Sequence, residues 1–181
     1  MTRGETPPRG LAPLAWVLLL AACATTPPPT PPPALSGVPN AFEMIARISI
    51  RQGDRSDIAK LRWTRRPDSD EWVISSPLGN EVARIESNAR GVALERAGGG
   101  REEAPDFESL TERVLGIGLD PSELSGWLHG QPPGRSVTAQ WVVSIDEKQS
   151  AGVVELARRI TATRGDVVVK LVVDSYRAIE E

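Results

Sequence analysis

Apolar residues recur at every second position through much of the chain from Met44 onward. Ala46, Ile48 and Ile50 alternate with Arg47, Ser49 and Arg51, and Ala59, Leu61 and Trp63 alternate with Lys60, Arg62 and Thr64. Successive side chains of a strand point to opposite faces, so a period of two predicts strands with one apolar and one wetted side. Gly53-Asp54 supplies a turn between the first two. After a polar loop at 65–70, Trp72 and Ile74 carry the pattern on, followed by strands at 82–86 and 92–95 around a turn at 88–91. Short strands joined by tight turns argue an antiparallel meander with one apolar face.

The middle of the chain changes period. Asp106 precedes an amphipathic run with Phe107, Leu110, Val114 and Leu115 on one side, and Gly116 and Gly118 break it. Asp120-Pro121 reads as an N-cap followed by proline at the first helical position, and Leu124, Trp127 and Leu128 form the next stripe. Alternation then returns at Val137, Ala139, Trp141 and Val143, and strands at 157–163 and 167–175 flank the turn Arg164-Gly165-Asp166. No repeat of solenoid or propeller period is present. The expected fold class is α+β, a single antiparallel sheet with a helical pair across its apolar face.

Composition narrows the function. The formal net charge of −3 over 181 residues gives no reason to expect a nucleic-acid partner. With one Cys and one His, neither an intramolecular disulfide nor a Cys/His metal site can form, and no cofactor motif appears. Five of the eight aromatic residues are Trp, which points to a few bulky anchors.

The N-terminus reads as an export signal, residues 1–22. Arg3 and Arg9 make it positive, and an apolar run at 11–22 is too short to span a bilayer as a helix of about 20 residues. It ends in Leu20-Ala21-Ala22-Cys23, the bacterial lipobox: small residues fit the signal-peptidase cleft, and the Cys23 thiol is the atom that accepts diacylglycerol. Residues 23–39 follow as the lipidated cysteine and a tether whose 25–33 stretch is entirely Thr and Pro. Ala24 stands where an aspartate would retain a lipoprotein on the inner membrane, so the expected location is the outer membrane, lipid-anchored and facing the periplasm.

From there an ordered set of motifs resembles the LolB family. The set runs Leu61-Arg62-Trp63, Ser75-Ser76-Pro77-Leu78-Gly79, Ala104-Pro105-Asp106, Gly126-Trp127-Leu128-His129-Gly130-Gln131-Pro132, Thr163-Arg164-Gly165-Asp166 and Val169 to Asp174. The resemblance covers nearly all of residues 40–181. It implies an incomplete, open antiparallel β-barrel whose concave face, covered by helices, binds lipid. It also implies a function: accepting lipoproteins from a periplasmic LolA-like carrier and inserting them into the outer membrane. The implied partners are that carrier, the acyl chains of client lipoproteins and the outer membrane, with the protein itself a monomer. The segment between Pro133 and Trp141 is shorter than the strand pair many members carry there.

Leu78, between Pro77 and Gly79 at a turn tip, matches the apolar residue of the family's protruding membrane-insertion loop. The candidate cavity lining is Ile48, Ile50, Leu61, Trp63, Trp72, Ile74, Leu110, Val114, Leu124, Trp127 and Trp141, all on apolar faces. Ordinary core packing is the competing reading for each. His129 lacks a nucleophile partner, so the sequence gives no enzyme site, and the residue is expected at a helix end on the surface. Glu102, Glu103 and Asp106 read as solvated or capping in a polar turn. The cations Arg62, Arg65, Arg66, Arg158 and Arg159 read as solvated faces with headgroups as the alternative. The competing function is a lipid-anchored envelope assembly module that binds proteins and carries no lipid.

Overall fold

Alternating burial along the first strand sets the geometry of the whole sheet. A computed structural model of the chain describes residues 39–131, 141–152 and 154–179. Strand β1, Phe42–Gln52, buries Phe42, Met44 and Ala46 and turns Arg47 outward. It is followed by β2 (Arg55–Arg66), β3 (Ser69–Ser75), β4 (Glu81–Asn88), β5 (Gly91–Arg96) and β6 (Arg101–Ala104). Helices α1 (Phe107–Leu115) and α2 (Pro121–Leu128) intervene before β7 (Val142–Ala151), β8 (Val154–Arg164) and β9 (Val167–Ala178).

All nine strands join one antiparallel sheet in the order β6-β5-β4-β3-β2-β1-β9-β8-β7. The first strand therefore pairs with the last, which carries the chain across the sheet's middle. Among the described residues the outermost strands, β6 and β7, do not meet, so this is an open barrel. Register places the inward residues in rows: Met44 faces Trp63, Trp63 faces Trp72, and Trp72 faces Ile85. On the other side Ala46 pairs with Val173 and Ile160 with Leu171.

Antiparallel pairing also sorts the turns. The chain enters β1 at Phe42, and the 53–54, 76–80, 97–100 and 165–166 turns all point away from that end: 53–54 and 165–166 lie beyond Gln52, 76–80 beyond the row of Arg47, and 97–100 beyond the row of Ala46. Each helix begins as its sequence dictates. The Asp106 carboxylate accepts from the Ser109 N–H at 2.6 Å, and that of Asp120 from the Ser122 N–H at 2.6 Å. Pro121 fills the first turn of α2, and Gly116 closes α1 at φ 72°, a backbone conformation that costs glycine little.

Three expectations change. The polar loop at 65–70 is only a tight turn at 67–68, because β2 and β3 extend through Arg66 and Ser69. Glu102 and Glu103 lie in β6, held to β5 by backbone bonds that require no apolar pattern. Of the alternation expected at Val137, Ala139, Trp141 and Val143, the described part places Trp141 just before a strand, β7, that starts at Val142 and runs to Ala151. Val137 and Ala139 lie outside the described residues, as does the segment after Pro133.

Candidate functional site

The inner face of the sheet carries a continuous aromatic chain. Tyr176 stacks on Phe42 at 5.4 Å, Phe42 meets Trp63 edge-on at 4.9 Å, Trp63 lies 5.3 Å from Trp72, and Trp72 lies 4.6 Å from Phe107 of α1. Trp127 of α2 meets Trp141 at 5.8 Å, with the Arg164 guanidinium over the Trp141 ring. Leu110, Leu124 and Leu128 bring the helices onto this face, and Ile117 and Leu119 seal the join between them. All eleven lining candidates converge here. Leu61, Trp63, Trp72, Leu110, Leu124, Trp127 and Trp141 are buried, while Ile48, Ile50, Ile74 and Val114 are half-buried against them.

That division is spatial. On β1 the inward residues Phe42, Met44 and Ala46 are wholly buried, then Ile48 and Ile50 are not. The same fall runs from Trp63 and Leu61 to Ala59 on β2, from Trp72 to Ile74 on β3, and from Ile85 to Ala83 on β4. The helical cover is thus tight near the chain's entry and thin toward the far end of β1–β4. At that end stands the turn of Pro77, Leu78 and Gly79. It is closed by bonds from the Ser76 N–H to the Asn80 carbonyl and from the Gly79 N–H to the Ser76 carbonyl, each 2.8 Å. Gly79 takes φ 96°, and Leu78 at the tip is 91% exposed.

Polar groups inside are mostly matched. The Trp63 indole N–H donates to Asp70 at 2.7 Å, and Arg65 lies 3.4 Å from the same carboxylate. Burial raises the Asp70 carboxyl above its ordinary range, opposed by the Trp63 bond and by Arg65. The buried Thr111 hydroxyl donates to the Phe107 carbonyl and accepts the Leu119 N–H at 2.8 Å, pinning the chain after α1. His129 is at a helix end as expected but half-buried, away from the expected surface position. Its Nδ1 faces the Ser125 carbonyl at 2.7 Å and its Nε2 the Tyr176 hydroxyl at 2.9 Å. A carbonyl only accepts, so Nδ1 carries the proton and neutral Nε2 accepts from the phenol. Burial lowers the His129 pKa and raises that of Tyr176. The Nε1 atoms of Trp72 and Trp127 are buried with no partner among the described residues.

The outer face is charged and laced with ion pairs. Arg47 pairs with Asp174, Arg84 with Glu71 and Glu81, Arg177 with Glu43, and Arg158 and Arg159 with Glu147. Arg62 and Arg66 line an outer cleft of about 570 Å³ with Glu43, Glu71 and Arg177. The lining set expected from the sequence omits Phe42, Ile117, Leu119, Val169, Leu171 and Val173, and Phe107 is expected only as part of the apolar side of α1. The alternation at Val167 to Val173 was the signal for three of them. Cys23 and the tether up to residue 38 lie outside the described residues.

An open antiparallel barrel with a helix-covered apolar face and a projecting apolar turn is the class these features define. A solved DUF1329 family protein from Desulfovibrio piger shares the fold, with a TM-score of 0.56 at 6% identity over 77% of this chain and 86% of that one. The family described as Outer membrane lipoprotein LolB matches residues 40–176. The outer-membrane lipoprotein LolB of Azoarcus sp. (strain BH72) is 30% identical, covering 81% of this chain and 83% of that protein. That of Chromobacterium violaceum is 37% identical over 67% of this chain and 68% of its own. The chain belongs to the LolB family.

Proposed function

We propose that this protein is an outer-membrane lipoprotein that accepts other lipoproteins from a soluble LolA-like carrier in the periplasm and inserts them into the outer membrane. One observation carries the reading: the apolar inner face loses its helical cover at the same end that projects Leu78. A tail leaving the covered face there emerges beside a side chain already suited to a bilayer.

The physics demands a container. An acyl chain of about 16 carbons costs roughly 13 kcal/mol to leave in water, at about 0.8 kcal/mol per CH₂. The half-buried Ile48, Ile50, Ile74 and Val114 offer the first apolar contacts, and deeper entry displaces the helical cover from Leu61, Trp63, Trp72, Leu110, Leu124, Trp127 and Trp141. Cargo passes between hydrophobic hosts with no bond made or broken. Cys23, once lipidated, anchors the chain; Pro77 and Gly79 hold Leu78 at the tip so that it enters the bilayer at release.

The test is transfer of an acylated lipoprotein from its purified carrier to the lipidated chain in phospholipid vesicles. Cargo leaving the carrier and becoming vesicle-bound in proportion to the acceptor is the expected result. A carrier that keeps its cargo in the presence of excess acceptor overturns the reading.

A further inference from the structure

The described residues hold five exposed large apolar side chains, and three of them cluster. Leu78 is 91% exposed, Ile58 63% and Val82 44%. Register brings them together. Lys60 pairs with Ser75, so Ile58, two residues nearer the far end on β2, comes level with the start of the 76–80 turn. Glu81 pairs with that same Ser75, which sets Val82 on the turn's other flank. Ala59 and Ala83 face inward, so Ile58 and Val82 face outward. Three adjacent chain segments thus present apolar groups along one rim.

Charge identifies what meets them. On the outer face Ile58 pairs with Ser49, and its neighbours there are Lys60 on its own strand and Arg51 across β1. Neither cation has a carboxylate partner among the described residues, although most arginines further down this face are paired. Asp54 and Asp166 stand at the tips of the 53–54 and 165–166 turns. The carboxylates beside Ile58 and Val82, Asp57 and Glu81, are instead ion-paired with Arg55 and Arg84, so the β2–β4 flank with Arg51 and Lys60 is the side that attracts an anionic surface. We propose that Ile58, Leu78 and Val82 form a single membrane-docking rim, backed by Arg51 and Lys60, that seats the barrel tilted on an anionic phospholipid bilayer. This rests on the reading of Leu78 as a membrane contact and extends it from one residue to an oriented surface.

The chain's one cysteine is the lipidation site, so a cysteine introduced elsewhere is a unique thiol for labelling. The lipidated chain carrying Ile58→Cys, Leu78→Cys, Val82→Cys or Ile45→Cys is labelled with an environment-sensitive fluorophore. Each is reconstituted in vesicles with or without phosphatidylglycerol, and quenching by lipids brominated on their acyl chains is read. Ile45, on the outer face near the chain's entry, is 42% exposed and serves as a control matched to Val82. Labels at 58, 78 and 82 are expected to be quenched and the one at 45 not. In anionic vesicles Lys60→Gln should lower the docked-to-undocked ratio about fivefold, and Ile58→Ser read from a label at 82 about tenfold. Quenching at 78 alone overturns the rim while leaving the loop reading intact. Quenching at none of the sites overturns both, and equal quenching at 45 overturns the orientation.

Discussion

The Nε2 of His129 lies 2.9 Å from the Tyr176 hydroxyl, tying the end of α2 to the last strand across 47 residues of sequence. Phe42 packs on both rings, 5.6 Å from His129 and 5.4 Å from Tyr176, so the helical cover is fastened at the entry end. Burial depresses the His129 pKa below its ordinary 6.5, the Ser125 carbonyl partly offsetting this. The folded state therefore binds fewer protons than the unfolded one near that pH. His129 contributes stability that is complete above 6.5 and is lost as pH falls through its folded value. Urea midpoints measured from about pH 7.5 down to about pH 5 should fall for the native chain. In His129→Asn that part of the fall should disappear.

Asp70 works in the opposite sense. Its carboxyl is raised from 3.8 by burial, so the ionised form is disfavoured in the fold, and its contribution weakens as pH rises through the folded value. Asp70→Asn keeps an acceptor for the Trp63 N–H and removes the buried charge. It should stay within about 1 kcal/mol of the native chain and gain on it as pH rises. Asp70→Leu strands the indole N–H and should cost about 1–3 kcal/mol in chemical denaturation.

Leu78 makes no core contact at 91% exposure, so Leu78→Glu should leave the unfolding midpoint within about 0.5 kcal/mol of the native value. The variant should still strip cargo from the carrier but leave it unincorporated in vesicles. Lost acceptance with normal folding would mean that the turn serves carrier docking instead.

Tether length bears on the same step. Ser75 is level with Arg47, five residues along β1 from Phe42, so the Leu78 tip three residues further on stands about 26 Å from the chain's entry at 3.3 Å per residue. Extended at about 3.1 Å per residue, residues 24–39 reach about 50 Å, enough to bring the far end back to the membrane holding Cys23. Deleting residues 25–33 leaves about 22 Å. Acceptance should persist while insertion drops to the level of Leu78→Glu; unchanged insertion would show that the turn need not reach that bilayer.

Much of the sheet was legible because burial on one face writes itself into every second residue. β1, β2, β3 and β9 follow that pattern, and the helix starts were spelled by Asp106, Asp120 and Pro121. β6 was not, since Arg101–Ala104 is polar and exists because β5 offers it backbone partners. β7 was read only at its first residues: beyond Ile145 the register shifts, setting Glu147 outward against Arg159 and Gln149 opposite the buried Leu156, so no apolar alternation marks the rest of the strand. His129 was misjudged because a single polar residue gives no periodic signal of what will cover it.

The amino-acid order by itself determined an alternating sheet, two capped helices, a lipobox motif followed by a Thr/Pro run, and a leucine stranded between proline and glycine. These are local properties, fixed by side-chain periodicity and backbone preference. Only the tertiary structure decided that the first strand pairs with the last, which puts the 165–166 turn at the same end as the Leu78 turn. It also decided that the helices cover the inner face unevenly, leaving Ile48, Ile50 and Ile74 half-open beside Leu78. That coincidence depends on contacts between residues far apart in sequence, and no local pattern records which partner each will find.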